Sequence, residues 1–131
     1  MAVYSDLVGI KFVDKGRNPS TGVDCWGLIM LAFERYGWKI PDFNVSCFAS
    51  SDIHAKYLLN MRGWKSVDVM REATVVAMSM DPDMPNVVQH FGYATDTHNV
   101  LHTLLKMGSV NMRINHPFIK HKIKGYYEWI G

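Results

Sequence analysis

The stretch GVDCWGLI, residues 22–29, decides the fold of this sequence, because it marks the point where a loop becomes a buried helix. Asp24 is well suited to cap that helix, and the residues after it are apolar around most of the helix circumference until Gly37. A helix that is apolar on nearly every side has to be buried. We therefore expect the helix that begins here to lie inside the domain.

Cys25 falls in the first turn of this predicted helix, which makes it a candidate nucleophile. The first turn of a helix carries unpaired backbone N–H groups and a partial positive charge. A thiolate is stabilised there, so the pKa of the Cys25 thiol is expected to fall. The same N–H groups can bind a developing oxyanion. The alternative interpretation is a buried structural cysteine, which is the commoner role of a lone cysteine.

The segments on either side of this helix can be assigned from their composition. Residues 11–23 are rich in Gly, Pro, Ser and Thr, which predicts a loop, and residues 1–10 could form a short helix or arm. A second helix is predicted from about residue 51 to residue 61, with Ser51 as its cap and an end near Gly63.

The second half of the sequence is rich in Val, Ile, Tyr and Thr, which predicts strands rather than helices. The predicted strands cover residues 74–80, 87–95, 99–105, 109–114 and 120–129. Helices followed by strands indicate an α+β domain, in which N-terminal helices pack on an antiparallel β-sheet. The whole chain, residues 1–131, is expected to form a single domain.

Two histidines on adjacent predicted strands are candidates for the rest of a catalytic site. A hairpin centred near Asp96 would pair position 90 with position 102, and opposed residues share one face of a sheet. His102 could then hold the imidazole of His90 by a hydrogen bond, as the third member of a cysteine triad does. A shift of one residue would place the two on opposite faces. The alternative interpretation of His90 alone is a core histidine with its hydrogen bonds satisfied.

A zinc site is an alternative to this interpretation. One cysteine and two histidines can bind zinc, but the sequence has no C-x-x-C or H-x-x-x-H pair of ligands. We therefore expect no metal and no cofactor.

The composition excludes several other classes of protein. The chain is 48% hydrophobic and 20% charged, and its net charge of +2 requires neither a nucleic-acid partner nor a membrane partner. Two cysteines do not make a disulfide scaffold, and no stretch reaches the ~18 apolar residues of a membrane span. Residues 1–14 lack the pattern of a signal peptide. We expect synthesis in the cytoplasm, so that any action on a cell wall requires delivery by another component.

Residues 22–29 also resemble the nucleophile motif of the NlpC family of cell-wall cysteine peptidases, in which an Asp-Cys-Ser/Trp-Gly-Leu run opens a helix. The segment His90-Phe91-Gly92-Tyr93 is similar to the family's strand that carries the catalytic base. His102 falls where the family places a third polar residue, twelve residues after the base. The resemblance extends from Gly9 to Tyr127.

The resemblance implies a papain-like fold and a cysteine peptidase that hydrolyses amide bonds in peptidoglycan stem peptides, typically the γ-D-glutamyl to diaminopimelate bond. It makes Cys25 the nucleophile, His90 the base and His102 the residue that orients the base. Residues 9–22 and 123–127 resemble the phage-tail branch of the family, which implies a phage or prophage tail protein and possible contacts with other tail proteins. The alternative is a structural tail-assembly module with the same fold, and a related acyl chemistry is a third option.

The resemblance also suggests where the substrate binds. In such enzymes the residue that matches Asp24 helps to bind the amine of the stem peptide. Three features depart from the family pattern. Phe12 stands where many members have a tyrosine near the oxyanion, Trp26 stands where many have a serine, and Glu72-Ala73-Thr74 replaces the usual Gly-Asp turn. The candidate substrate-binding residues are Asp24, Trp26, Arg17 and Phe12.

Overall fold

A computed structural model of the chain describes residues 3–42, 46, 53–54, 57 and 62–131. Within these residues α-helix α1 runs over Cys25–Glu34, a turn of 3-10 helix covers Ser5–Leu7, and Ile53, His54 and Tyr57 are also helical. The strands of the same residues are β1 (Arg17–Asn18), β2 (Gly22–Val23), β3 (Trp64–Val67), β4 (Thr74–Met78), β5 (His90–Ala94), β6 (Asn99–Leu104), β7 (Gly108–Arg113) and β8 (Ile123–Trp129).

Six of these strands form one antiparallel sheet in the order β3-β8-β4-β5-β6-β7. The strands from β4 to β7 follow one another as a meander, whereas β8 returns to lie between β3 and β4. Every residue of β4 is buried. A strand that is covered on both faces has no solvated side, which explains why β4 shows a continuous apolar run rather than an alternating pattern.

Helix α1 begins where the sequence predicts. The Asp24 carboxylate accepts a hydrogen bond from the backbone N–H of Gly27 at 2.9 Å, which satisfies one of the free donors of the first turn. Six of the ten helix residues are buried. The helix ends at Glu34, and a turn leads to Gly37, whose φ of 73° lies in the left-handed region that favours glycine.

The core lies on both faces of the large sheet. On one face, buried side chains of α1 such as Leu28 and Phe33 pack with Phe91, Tyr93 and Leu101. On the other face, a second apolar cluster is completed by the segment before β8. The members of this second cluster are Met70, Val76, Met78, Ala94, Val100 and Ile119. Because side chains alternate along a strand, the odd-numbered residues of β5 point towards α1.

The α+β class and the antiparallel sheet are confirmed, whereas the prediction of several N-terminal helices is only partly confirmed. Most of the predicted second helix, residues 51–61, lies outside the described residues, although Ile53, His54 and Tyr57 are described and are helical. The predicted loop at 11–23 contains the short β1–β2 ladder, and β3 was not predicted. In the part of the chain that the structure describes, no helix is long and apolar enough to cross a membrane.

Candidate active site

Cys25 is the first residue of α1, and its free, half-buried thiol lines a small cavity. The cavity has a volume of about 220 Å³ and is also lined by His90, the first residue of β5. The residues that complete its wall are Phe12, Met80, Gln89, Thr103, Leu104 and Leu105. The fold thus brings the predicted nucleophile and the predicted base to one cavity, although they are far apart in the sequence.

His90 and His102 are joined by a hydrogen bond, with 2.9 Å between His90 Nε2 and His102 Nδ1. The two rings are 5.2 Å apart between centroids and meet edge to face. His102 is fully buried in β6, whereas His90 is half-buried at the rim of the cavity. The contact between the two imidazoles that the hairpin argument predicts is therefore present.

The register that was used to predict this contact is wrong. Tyr93 pairs with Leu101, so the same register places position 92, and not position 90, opposite position 102. The turn is centred on residue 97 because the Asp96 carboxylate accepts the backbone N–H groups of His98 and Asn99 at 2.7 and 2.8 Å. The error is two positions, which keeps the same face of the sheet, so the imidazoles meet along a diagonal.

Gly92 lies opposite His102 and makes this diagonal contact possible. A Cβ atom at residue 92 would lie 2.4 Å from Val100 Cγ1 and 3.4 Å from the Cβ of His102. Real Cβ atoms essentially never approach another heavy atom as closely as the first of these distances. Only glycine therefore lets β5 and β6 keep the spacing that joins the two histidines.

The expected fall in the pKa of Cys25 is not found. Burial raises the pKa of the thiol to about 12, and the negative charge of Asp24 adds to this effect. Hydrogen bonds from the backbone N–H groups of Phe91 and Trp26 act in the opposite direction without reversing the shift. The helix terminus therefore does not by itself make Cys25 a thiolate.

The two histidines are held neutral for the same reason. Burial lowers the pKa of His90 to about 3, with a further contribution from His102. It lowers the pKa of His102 to about 4, with a further contribution from His116. Although both residues are described, no hydrogen bond joins Cys25 to His90. At neutral pH these shifts leave both Cys25 and His90 uncharged.

These lowered pKa values predict a fold that weakens in mild acid. Both imidazoles are neutral in the folded chain, but in the unfolded chain they gain a proton below about pH 6.5. Stability is therefore complete above that pH and is lost as the pH falls towards 4. Between about pH 7 and pH 5, each histidine should remove on the order of 2 kcal/mol from the free energy of unfolding.

Urea denaturation at several pH values measures this loss. The variant His98→Gln, which alters an exposed histidine in the turn, should keep the steep dependence on pH, whereas His102→Asn should remove about half of it. Equal stability of the unmodified protein at pH 7 and pH 5 would contradict the burial of two neutral imidazoles.

Asp24 does not line the cavity, and its carboxylate joins the preceding loop to the start of α1. Its Oδ1 atom accepts from Gly27 and from Arg17 Nη1 at 2.6 Å, and its Oδ2 atom accepts the backbone N–H of Lys15 at 3.0 Å. The side chain is only 4% exposed, and burial raises the pKa of the carboxyl group. Arg17 extends the chain of contacts to the exposed Asp42. These contacts tie the loop to the start of α1.

Of the four candidate substrate-binding residues, only Phe12 lines the cavity that holds Cys25. Trp26 is buried, donates its indole N–H to the carbonyl of Pro41 at 2.9 Å and packs edge to face on Phe91. The interpretation of the sequence missed Gln89 and Thr103, which also line the cavity. The sequence could have pointed to both residues, because each is next to one of the two candidate histidines: Gln89 directly precedes His90, and Thr103 directly follows His102.

No group of three or more His, Cys, Asp or Glu side chains among the described residues is placed to hold a metal ion. The described side chains that line the cavity include the thiol of Cys25, the imidazole of His90, the carboxamide of Gln89 and the hydroxyl of Thr103.

Comparison with known proteins connects this arrangement to a fold. No protein-family model matches the sequence, and no curated protein matches it. Solved structures match the fold along nearly the whole chain. One is a Staphylococcus aureus protein described as similar to lipoprotein, NLP/P60 family, with a TM-score of 0.67 and 16% identity, covering 95% of this chain and 38% of that one.

Two further solved structures agree with the first. An NLPC/P60 family protein from Bacillus cereus has a TM-score of 0.68 and 17% identity, covering 98% of this chain and 41% of that chain. NlpC1 from Trichomonas vaginalis has a TM-score of 0.62 and 15% identity, covering 93% of this chain and 40% of that chain. The chain therefore has the fold of NlpC/P60 proteins, and it spans about two fifths of the length of these structures.

Proposed function

We propose that the chain is a cysteine peptidase that hydrolyses amide bonds in peptidoglycan stem peptides. The bond that we propose is the γ-D-glutamyl to diaminopimelate bond. The setting that we propose is the tail of a phage or prophage, because residues 9–22 and 123–127 resemble the phage-tail branch of the family. The observation that carries the proposal is the His90–His102 hydrogen bond beside a cavity that Cys25 also lines.

The hydrogen bond assigns a role to each nitrogen of His90. Its Nε2 atom is engaged by His102 Nδ1, so Nδ1 is the atom that remains for the proton of Cys25. To act as a base at Nδ1, neutral His90 must carry its proton on Nε2 and donate it to His102 Nδ1. His102 Nε2 then carries a proton. That atom is buried and has no hydrogen-bond partner among the described residues, whichever tautomer His102 adopts.

The proposed reaction begins with a thiol and a neutral imidazole. As Cys25 Sγ forms a bond to the scissile carbonyl carbon, its proton passes to His90 Nδ1 and the carbonyl electron pair moves to the oxygen. His90 then protonates the leaving amine, the carbon–nitrogen bond breaks, and an acyl-enzyme remains. Water, deprotonated by His90, cleaves the acyl-enzyme and releases the thiol.

His102 contributes orientation rather than charge. A neutral imidazole can accept the Nε2 proton of His90 and fix the direction of the ring. It stabilises the His90 cation less than a carboxylate would, because it carries no negative charge. His102 is therefore a positioning residue that acts through His90.

One observation favours a second candidate function, a structural tail-assembly module. The raised pKa of Cys25 and the lowered pKa of His90 both disfavour the thiolate–imidazolium pair of a highly active thiol enzyme. A structural module that has this fold but no peptidase activity would be compatible with the same two pKa shifts.

Incubation with purified muropeptides tests the proposal. The unmodified protein should convert stem peptides into fragments whose masses identify the cleaved bond, and Cys25→Ala should produce none. Cys25→Ala is a mild change at a half-buried position, so unchanged thermal unfolding would show that the fold is intact. Equal fragment yields from both proteins would exclude the thiol mechanism, and no fragments from either would favour the structural module.

A further inference from the structure

Two residues in the wall of the candidate active-site cavity each carry a buried polar atom for which the described residues offer no hydrogen-bond partner. These atoms are Nε2 of Gln89 and Oγ1 of Thr103, and both residues line the cavity with Cys25. A buried polar group without a partner destabilises the fold, and most such groups in native proteins are satisfied. Because both residues line the same small cavity, a group bound there is a candidate partner for each of them.

The orientation of the Gln89 amide follows from its other contact. Its Oε1 atom accepts the backbone N–H of Met80 at 2.7 Å. That N–H group requires an acceptor, so the oxygen of the amide must be on that side. The unpaired end is therefore the NH₂ group, which can only donate. The backbone N–H of Gln89 is bound in turn to the carbonyl of Met78 at 3.2 Å, which holds the residue in place.

Gln89 and Cys25 line the same cavity. The sulfur of Cys25 accepts from the backbone N–H of Phe91, which follows Gln89 by two residues along the chain. The cavity of about 220 Å³ is smaller than a typical ligand pocket, so the groups in its wall are close neighbours.

We propose that the carboxamide of Gln89 donates a hydrogen bond to the oxyanion that forms when Cys25 attacks the scissile carbonyl. The inference rests on the proposed peptidase function and names a catalytic residue for it. In the attack, the sulfur–carbon bond forms and the carbonyl electron pair becomes localised on oxygen. The Gln89 NH₂ group and the backbone N–H of Cys25 share that negative charge, and neither donor changes its protonation state.

Gln89 suits this role better than the other groups in the cavity wall. Phe12 offers no donor, and a threonine hydroxyl such as that of Thr103 can accept as well as donate, so it also fits the N–H groups of a substrate. The Gln89 amide is a fixed donor that is already oriented before the substrate binds. Donors held in place in this way stabilise a transition state without the cost of reorganisation.

Two substitutions of Gln89 separate catalysis from structure. Gln89→Glu keeps an oxygen for the Met80 N–H and removes the donor, whereas Gln89→Met removes both. If Gln89 binds the oxyanion, Gln89→Glu should lower kcat by about 10²- to 10³-fold at about pH 8 and leave KM nearly unchanged. If Gln89 only supports the loop at Met80, Gln89→Glu should retain full activity while Gln89→Met loses stability, and the proposal would be overturned.

Thr103→Val is the matched control, because it removes the other unpaired group from the same cavity and preserves the shape of the side chain. We expect it to lower kcat by less than tenfold. A loss of 10²-fold or more in Thr103→Val together with full activity in Gln89→Glu would transfer the oxyanion role to Thr103 and refute the assignment.

An aldehyde probe distinguishes failure of this inference from failure of the proposed function. The aldehyde analogue of L-alanyl-γ-D-glutamate, with the γ-carboxyl group replaced by CHO, forms a hemithioacetal with Cys25, whose new oxygen occupies the oxyanion position. Its affinity should fall in Gln89→Glu by the same factor as kcat/KM, whereas the affinity of the corresponding alcohol should not change.

Each result of the combined assays has a defined meaning. Cleavage of stem peptides with equal aldehyde affinity in both proteins would refute the role of Gln89 and leave the peptidase intact. A Gln89-dependent adduct without cleavage would support the role of Gln89 and refute the stem-peptide substrate. The absence of both cleavage and adduct would refute both.

Discussion

Hydrolysis of stem peptides is expected to fall by about 10⁴-fold or more when His90 is replaced by alanine, because none of the other described residues that line the cavity has a basic side chain to take the proton of Cys25. The effect should be large in this protein in particular. The pKa of Cys25 is raised to about 12, so almost no thiolate exists at neutral pH without a base. The measurement is kcat/KM for a purified stem peptide, with thermal unfolding as a check on the fold.

His102 provides the matched comparison. His102→Asn keeps an acceptor for the Nε2 proton of His90 and should cost much less than His90→Ala, on the order of 10- to 10²-fold. A much larger loss of kcat/KM in His90→Ala than in His102→Asn would agree with the hydrogen bond between the two imidazoles. Retention of a tenth or more of the activity by His90→Ala would show that His90 is not the base.

The second large effect concerns stability and is expected at Asp24. Asp24→Ala removes the acceptor for Gly27, Lys15 and Arg17 in one step and leaves these donors in a mostly buried setting. Loss of a helix cap costs about 1 kcal/mol, and breaking a buried ion pair costs about 3–5 kcal/mol. Because Arg17 is 24% exposed and retains Asp42, we expect the lower part of this range, about 3 kcal/mol in the free energy of unfolding.

Urea denaturation measures this loss, and Asp42→Ala is its control. Asp42 binds the same guanidinium but its side chain is 47% exposed, so its removal should cost less than about 1 kcal/mol. If both variants unfold at the same urea concentration, the contacts of Asp24 do not hold the loop against the helix. An increase in KM without loss of stability in Asp24→Ala would instead support the substrate-binding role that the resemblance implies.

The sequence predicts the parts of the fold that depend on local patterns. The cap at Asp24, the burial of α1 and five of the six strands of the large sheet follow from capping chemistry, apolar periodicity and β-branched composition. The missed strand, β3, is an edge strand of four residues, two of them exposed, and in the part of the chain that the structure describes it pairs with β8 alone. Its pairing is set by distant residues near the end of the chain, and such partners leave no local signal.

The candidate site shows the same division. The association of His90 with His102 could be predicted even though the predicted register was wrong by two residues. A shift of two residues keeps each side chain on the same face of the sheet, whereas a shift of one residue would have separated the two histidines. The pKa of Cys25 could not be predicted. Position at a helix terminus indicates a fall, whereas the extent of burial, which depends on the packing of β5 against α1, dominates and raises the pKa.

The sequence also did not predict the unpaired polar atoms of Gln89 and Thr103. Whether Gln89 and Thr103 are paired depends on the distances between strands and loops, and neither residue type has a preference that reveals it. The adjacency of Gln89 to His90 was available, but it became meaningful only when the Met80 contact fixed the direction of the amide.

Gly92 carries no functional group, yet the distance between two imidazoles depends on it. The contact with Val100 leaves less room at residue 92 than a single methyl group requires. The relative position of the two imidazoles thus depends partly on the absence of a side chain at residue 92. A comparison of reactive side chains alone would overlook this dependence. An attempt to transplant the histidine pair onto another antiparallel scaffold would therefore have to copy this gap between the strands along with the two rings.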